Sequence, residues 1–96
     1  MYGLKRQLLQ ALADMAQYYG LQKLILFGSR ARGDYKERSD IDLAVSGGNI
    51  SAFAAAADEE LPTLLQIDII SLDNAVQKEL LQAIEQEGII LYEKVC

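Results

Sequence analysis

Leu4, Leu8, Leu12, Met15 and Tyr19 recur at the spacing of one helix face, and Gly20 follows them as a stop. The spacing predicts an amphipathic helix over residues 4–19. The pattern then changes. "KLILFG", residues 23–28, is a short apolar run closed by glycine and reads as a buried strand. From residue 40, "DIDLAVSGG" alternates, with Ile41, Leu43 and Val45 apolar on one side, and predicts a second strand ending at Gly47-Gly48. Asn49 or Ser51 is placed to cap a helix through "SAFAAAADEEL", which Pro62 closes. "LLQIDIIS", residues 64–71, predicts a third strand. Asp73 or Asn74 then caps a helix whose Val76, Leu80 and Ile84 share a face and which Gly88 ends. "IILYE" supplies a last strand. The order α-β-β-α-β-α-β predicts an α/β (α+β) fold, a mixed sheet packed with helices. No repeat, linker or low-complexity segment interrupts it.

Composition narrows the function classes. The 96 residues match the scale of one domain, 1–96, and an apolar share of 51% suffices for a packed core. Lys5 and Arg6 lead into an amphipathic run, so no signal peptide is read, and no apolar run approaches a membrane span. Cys96, the single cysteine, has no internal partner, which leads to the expectation of a soluble, cytoplasmic protein. Histidine is absent. That excludes Ser-His-Asp and Cys-His catalysis and the usual zinc sites. Any bound metal must rest mainly on carboxylate oxygens, which favours Mg²⁺ or Mn²⁺. A net charge of −5 argues against general nucleic-acid binding, which needs a broad basic face. Yet Arg30, Arg32, Lys36 and Arg38 stand close together, and a local positive patch in an acidic chain suits a small anionic ligand.

The chemistry concentrates in "GSRARGDYKERSDIDL", residues 28–43. Side chains two apart on a strand share a face, so Asp40 and Asp42 project together, roughly 6.5–7 Å apart, while Ile41 enters the core. Such a pair can share a divalent ion, and it also reads as a solvated strand face. Asp68, between Ile67 and Ile69, completes a three-carboxylate cluster if the second and third strands are neighbours. It reads equally as an edge-strand charge that blocks aggregation. Gly28 permits a sharp turn and close approach of backbone amides to a phosphate, and Ser29 begins a turn or short helix whose N–H groups and hydroxyl converge on an anion. Arg30 and Arg32 add charge-assisted contacts to triphosphate oxygens. Ordinary turn chemistry also explains "GS" and "RGD". Neither a Walker P-loop nor an EF-hand fits the spacing. Tyr35 reads as a stacking platform for a base or as a plain loop residue, and Tyr2, Tyr18 and Tyr19 as core or interface.

Gly28-Ser29, ten intervening residues and Asp40-Ile41-Asp42 resemble the signature of the polymerase-β-like nucleotidyltransferase superfamily. The form "GSRARG…SDIDL" is most similar to the minimal nucleotidyltransferases, stand-alone domains of about this length found as the antitoxin of HEPN pairs. The resemblance covers nearly the whole chain, including Asp68 and "EGIILYE". It implies that Asp40, Asp42 and Asp68 are catalytic and metal-binding, with Asp68 as ligand or base. It implies that Gly28 and Ser29 hold a triphosphate. Arg30 and Arg32 fall in the variable part of the motif, so their nucleotide-binding role rests on charge alone.

The implied chemistry is nucleotidyl transfer: two Mg²⁺ ions, or Mn²⁺, and AMP moved from ATP to a hydroxyl acceptor. The implied partner is an HEPN-domain toxin with a tyrosine as acceptor, since the chain leaves little room for a second-substrate domain. Two other readings stand beside it. One is a non-catalytic antitoxin that neutralises its HEPN partner by complex formation. The other is transfer to a small molecule.

Overall fold

A computed structural model describes residues 2–61 and 63–94. Pro62 and Cys96 lie outside the described residues.

The first apolar stripe folds as helix α1 (Arg6–Tyr18), with Leu8, Leu12 and Ala16 buried one turn apart and Leu4 buried just ahead of it. Met15 and Tyr19 are only partly buried against the core, so the stripe drifts off its buried line toward the C-terminal end. Gly20 turns the chain at φ +71, and Leu21 N donates back to Ala16 O at 2.9 Å. That left-handed closure needs glycine. Tyr18 is exposed, and its ring meets Tyr19 edge-on with centroids 4.9 Å apart.

Strand β1 (Lys23–Phe27) follows, then the short helix α2 (Ser29–Arg32), strand β2 (Ile41–Ser46), helix α3 (Ile50–Glu60), strand β3 (Ile67–Ser71), helix α4 (Lys78–Glu87) and strand β4 (Ile89–Glu93). The sheet order is β3-β2-β1-β4. Strand β1 runs antiparallel to both β2 and β4, and β2 runs parallel to β3, so the sheet is mixed as the alternation predicts. A parallel pair needs a crossover, and α3 provides it. Asn49 caps α3 by accepting from Ala52 N at 3.2 Å.

The strand alternation divides the core between the two sheet faces. Leu24, Leu26, Ile41, Leu43 and Val45 pack with Leu8, Leu12 and Phe53 of α1 and α3. On the opposite face Phe27, Ala44 and Ile84 cluster, joined by the partly buried Ile25, Ile70 and Leu80. Helix α4 contributes Ile84 and Leu80 there. The two faces are unequal, and the smaller one leads to the site.

Three expectations need correction. The order gains α2, whose four residues are too short to leave a periodic signal. The third strand starts at Ile67 rather than residue 64, because its ladder partner β2 starts at Ile41 and Ile41 pairs with Ile67. The last helix starts at Lys78, with Gln77 at the cap position and no side-chain cap, so neither Asp73 nor Asn74 caps it. Asp73 instead accepts from Gly47 N at 2.9 Å, tying the end of β2 to the end of β3, and Val76 precedes the helix. No helix among the described residues is long and apolar enough to cross a membrane.

Candidate active site

Asp42 and Asp68 are register partners across the parallel β2–β3 ladder. Ile41 and Leu43 on either side of Asp42 point into the larger core, so Asp42 faces the α4 side of the sheet, at the end where β2 and β3 begin. Phe27 pairs with Asp42 from β1, and the chain then leaves the sheet through Gly28. Gly28 has φ +78, and a β-carbon there would overlap Asp42 Oδ2 and come within 3.2 Å of its Cγ. A turn with no side chain therefore lies directly over a carboxylate. Ser29 opens α2 immediately afterwards.

The electrostatics follow from this crowding. Burial pushes the Asp42 carboxyl above its ordinary value, and the negative charges of Asp68 and then Asp40 push it further, while Arg32 pulls it down. Asp68 and Asp40 thus both bear on Asp42. The strand argument for Asp40 needs adjustment, however: Asp40 precedes β2 and is exposed, because the ladder begins only with Ile41 N donating to Gln66 O at 2.9 Å. Asp68 is on the strand and exposed. Among the described residues no three Cys, Asp or Glu side chains are gathered as a ready metal cluster. The donor chemistry nonetheless fits a hard divalent cation: carboxylate oxygens alone, two of them paired across a ladder and mutually repelling.

The basic residues separate. Arg30 is a correction: it is 2% exposed and spends its guanidinium on backbone carbonyls, so it is not free to reach triphosphate oxygens. It also lies over the Tyr35 ring, 5.1 Å from the centroid, so that ring's partner here is Arg30. With Arg30 buried and Lys36 and Arg38 exposed on the loop, the four basic residues do not form one surface patch. Arg32 is exposed and paired with Asp34 Oδ2 and Glu87 Oε2, each at 3.2 Å. Those two hydrogen bonds raise its pKa, Asp34's first. Glu87, at the end of α4, carries no signal in the sequence that would place it here, since it meets Arg32 from 55 residues away.

Comparisons with known proteins add to this geometry. A sequence model of the family described as "Polymerase beta, Nucleotidyltransferase" matches residues 10–95. A protein of Methanocaldococcus jannaschii named as a protein adenylyltransferase is 58% identical over 33 residues, a stretch spanning 33% of this chain and 33% of that protein. Among solved structures, a toxin–antitoxin with AMP-PNP matches with a TM-score of 0.64 and 26% identity, over 90% of this chain and 73% of the other. A mutant of the toxin–antitoxin MntA-HpeT matches with a TM-score of 0.67 and 26% identity, over 88% of this chain and 72% of the other.

Proposed function

The chain belongs to the polymerase-β nucleotidyltransferase family, and from that premise we propose that it is an antitoxin enzyme moving AMP from ATP to a tyrosine hydroxyl on a partner HEPN toxin. The observation that carries the reading is the pairing of Asp42 with Asp68 directly beneath the Gly28–Ser29 turn. Two things follow at one place: a concentration of negative charge that asks for a cation, and a side-chain-free turn next to it. The first N–H groups of a helix have no carbonyl upstream of them, so the turn into α2 offers donors to phosphate oxygens. The relatives support the nucleotide and the partner, one being named a protein adenylyltransferase and another a toxin–antitoxin with AMP-PNP.

In the proposed reaction the acceptor oxygen bonds to the α-phosphorus, the bond from that phosphorus to the bridging oxygen of the β-phosphate breaks, and pyrophosphate leaves. Asp40, Asp42 and Asp68 would hold Mg²⁺, which supplies charge neutralisation on the phosphates and activation of the hydroxyl. Asp68, on the exposed edge strand, is open to an acceptor and takes the hydroxyl proton. Gly28 and Ser29 hold the triphosphate, and Arg32 supplies a further cation to it once it leaves Asp34 and Glu87. The protein's own contribution is position and fixed charge.

The test is the intact mass of the product of the neighbouring gene, the proposed toxin, measured after incubation with this protein, ATP and Mg²⁺. The proposal expects addition of AMP, with fragmentation placing it on tyrosine. A toxin that is neutralised with its mass unchanged would replace transfer by simple complex formation.

A further inference from the structure

Arg30 is the one buried charged residue among the described residues, and it has no role in the reaction as set out above. Its surroundings are unusual. No carboxylate lies within ion-pair distance of it among the described residues; its partners are carbonyl oxygens and an aromatic face. Nε donates to Ser39 O at 3.1 Å, Nη2 to Ser39 O at 2.9 Å and Glu37 O at 3.2 Å, and Nη1 to Tyr2 O at 3.1 Å. A guanidinium taken out of water is costly unless its donors are met. Here the carbonyl dipoles and the Tyr35 ring meet them.

The acceptors are placed where they matter. Arg30 stands one residue beyond Ser29, on α2, while Glu37 and Ser39 belong to the loop that delivers Asp40. One side chain therefore joins the turn over Asp42 to the segment that brings in the carboxylates. Apart from Arg30, that loop is held by its own small turn, Ser39 N to Lys36 O at 3.0 Å and Lys36 N to Ser39 Oγ at 2.7 Å. The third tie, Tyr2 O, enters from the N-terminal segment, which lies close because Gly3 has no side chain. A β-carbon on Gly3, at φ +69, would overlap the Tyr35 ring and come within 2.8 Å of Arg30 Nη1.

We propose that Arg30 is a positioning residue: its buried guanidinium clamps residues 36–39 and the N-terminal segment together, and so fixes Asp40 and Asp42 relative to the Gly28–Ser29 turn. The inference rests on the reading of those aspartates as the cation-holding pair. It differs from a phosphate contact, because the guanidinium is spent on backbone and acts on the substrate only through the loop.

The experiment uses Arg30→Lys, with Tyr35→Leu as a milder variant that keeps every carbonyl contact and removes the ring. Amide hydrogen exchange over residues 36–41 is measured first, with β1 as the internal control. The clamp predicts exchange about 10-fold faster in the loop of Arg30→Lys and a smaller rise in Tyr35→Leu, with β1 unchanged. Mn²⁺ titration followed by electron paramagnetic resonance should show binding weakened about 10-fold in Arg30→Lys. In AMP transfer kcat falls, about 10²-fold for a misplacement near 1 Å, while KM for ATP stays within about threefold. Unchanged exchange in both variants overturns the proposal. So does a KM raised with kcat intact, which would make Arg30 a direct phosphate ligand. If the unmodified protein transfers no AMP, the function proposed above fails, and the exchange data still decide the clamp.

Discussion

Gly28 and Asp42 share one volume: the space a Gly28 side chain would occupy is filled by the Asp42 carboxylate. The turn over the strand ends and the half-buried acid beneath it are one device, made by β1 and β2 lying antiparallel with Phe27 opposite Asp42. Substituting Gly28 by alanine should therefore injure the site in two ways. It places a side chain at φ +78 and displaces Asp42. The expected cost is about 1–3 kcal/mol of stability and a loss near 10²-fold in kcat for AMP transfer, read by denaturant unfolding and by initial rates.

Asp42 should also destabilise the cation-free protein at neutral pH. Its carboxyl is raised above the unfolded value of 3.8 by burial and by Asp68 and Asp40. The folded state thus holds that proton more tightly than the unfolded one. The resulting stability is present below pH 3.8 and is lost as pH rises through the raised folded value. Asp42→Asn should accordingly raise Tm at neutral pH without metal by about 2–4 °C, and the gain should vanish in strong acid. Thermal scans against pH check this.

The same logic predicts a role reversal on adding Mg²⁺. A cation that binds the folded state alone stabilises it, by about 2.7 kcal/mol at 100 times its Kd. Mg²⁺ should raise the Tm of the unaltered protein, raise that of Asp68→Asn less, and leave Asp42→Asn unmoved.

Arg32 is held by Asp34 and Glu87, and under the proposed function it must leave them to meet triphosphate oxygens. Both pairs stand in solvent and are screened, so each is weak and easily exchanged for another anion. Glu87→Gln should lower KM for ATP by up to about fivefold at low salt. Arg32→Ala should raise KM. Kinetics at two ionic strengths separate this from a fold effect, since screening shrinks the difference between Glu87→Gln and the unaltered protein.

Much of this fold is legible along the chain because its elements keep their periods. The Leu4–Leu8–Leu12 stripe, "KLILF" and "IDLAV" each bury the residues their spacing assigns to the core. The sequence could not disclose which polar groups are already spoken for. Asp73 has the chemistry of a helix cap, but Gly47 N claims it across the sheet, and α4 begins without a side-chain cap. Arg30 has the chemistry of a phosphate ligand, but carbonyls at residues 2, 37 and 39 claim it. The strand alternation correctly sends Ile41 inward, yet it says nothing of Asp40, which falls one residue before the ladder starts. Adjacency of Asp42 and Asp68 required knowing that β2 and β3 are neighbours in register, a tertiary fact.

Transfer of AMP through the paired carboxylates is read without intermediary by label transfer. The purified protein is incubated with Mg²⁺, α-labelled ATP and the product of the neighbouring gene, with Asp42→Asn in parallel. Label should appear on that partner with the unaltered protein and be absent with Asp42→Asn. Labelling by Asp42→Asn at an undiminished rate, or a stable complex that never takes up label, would contradict transfer through the carboxylates.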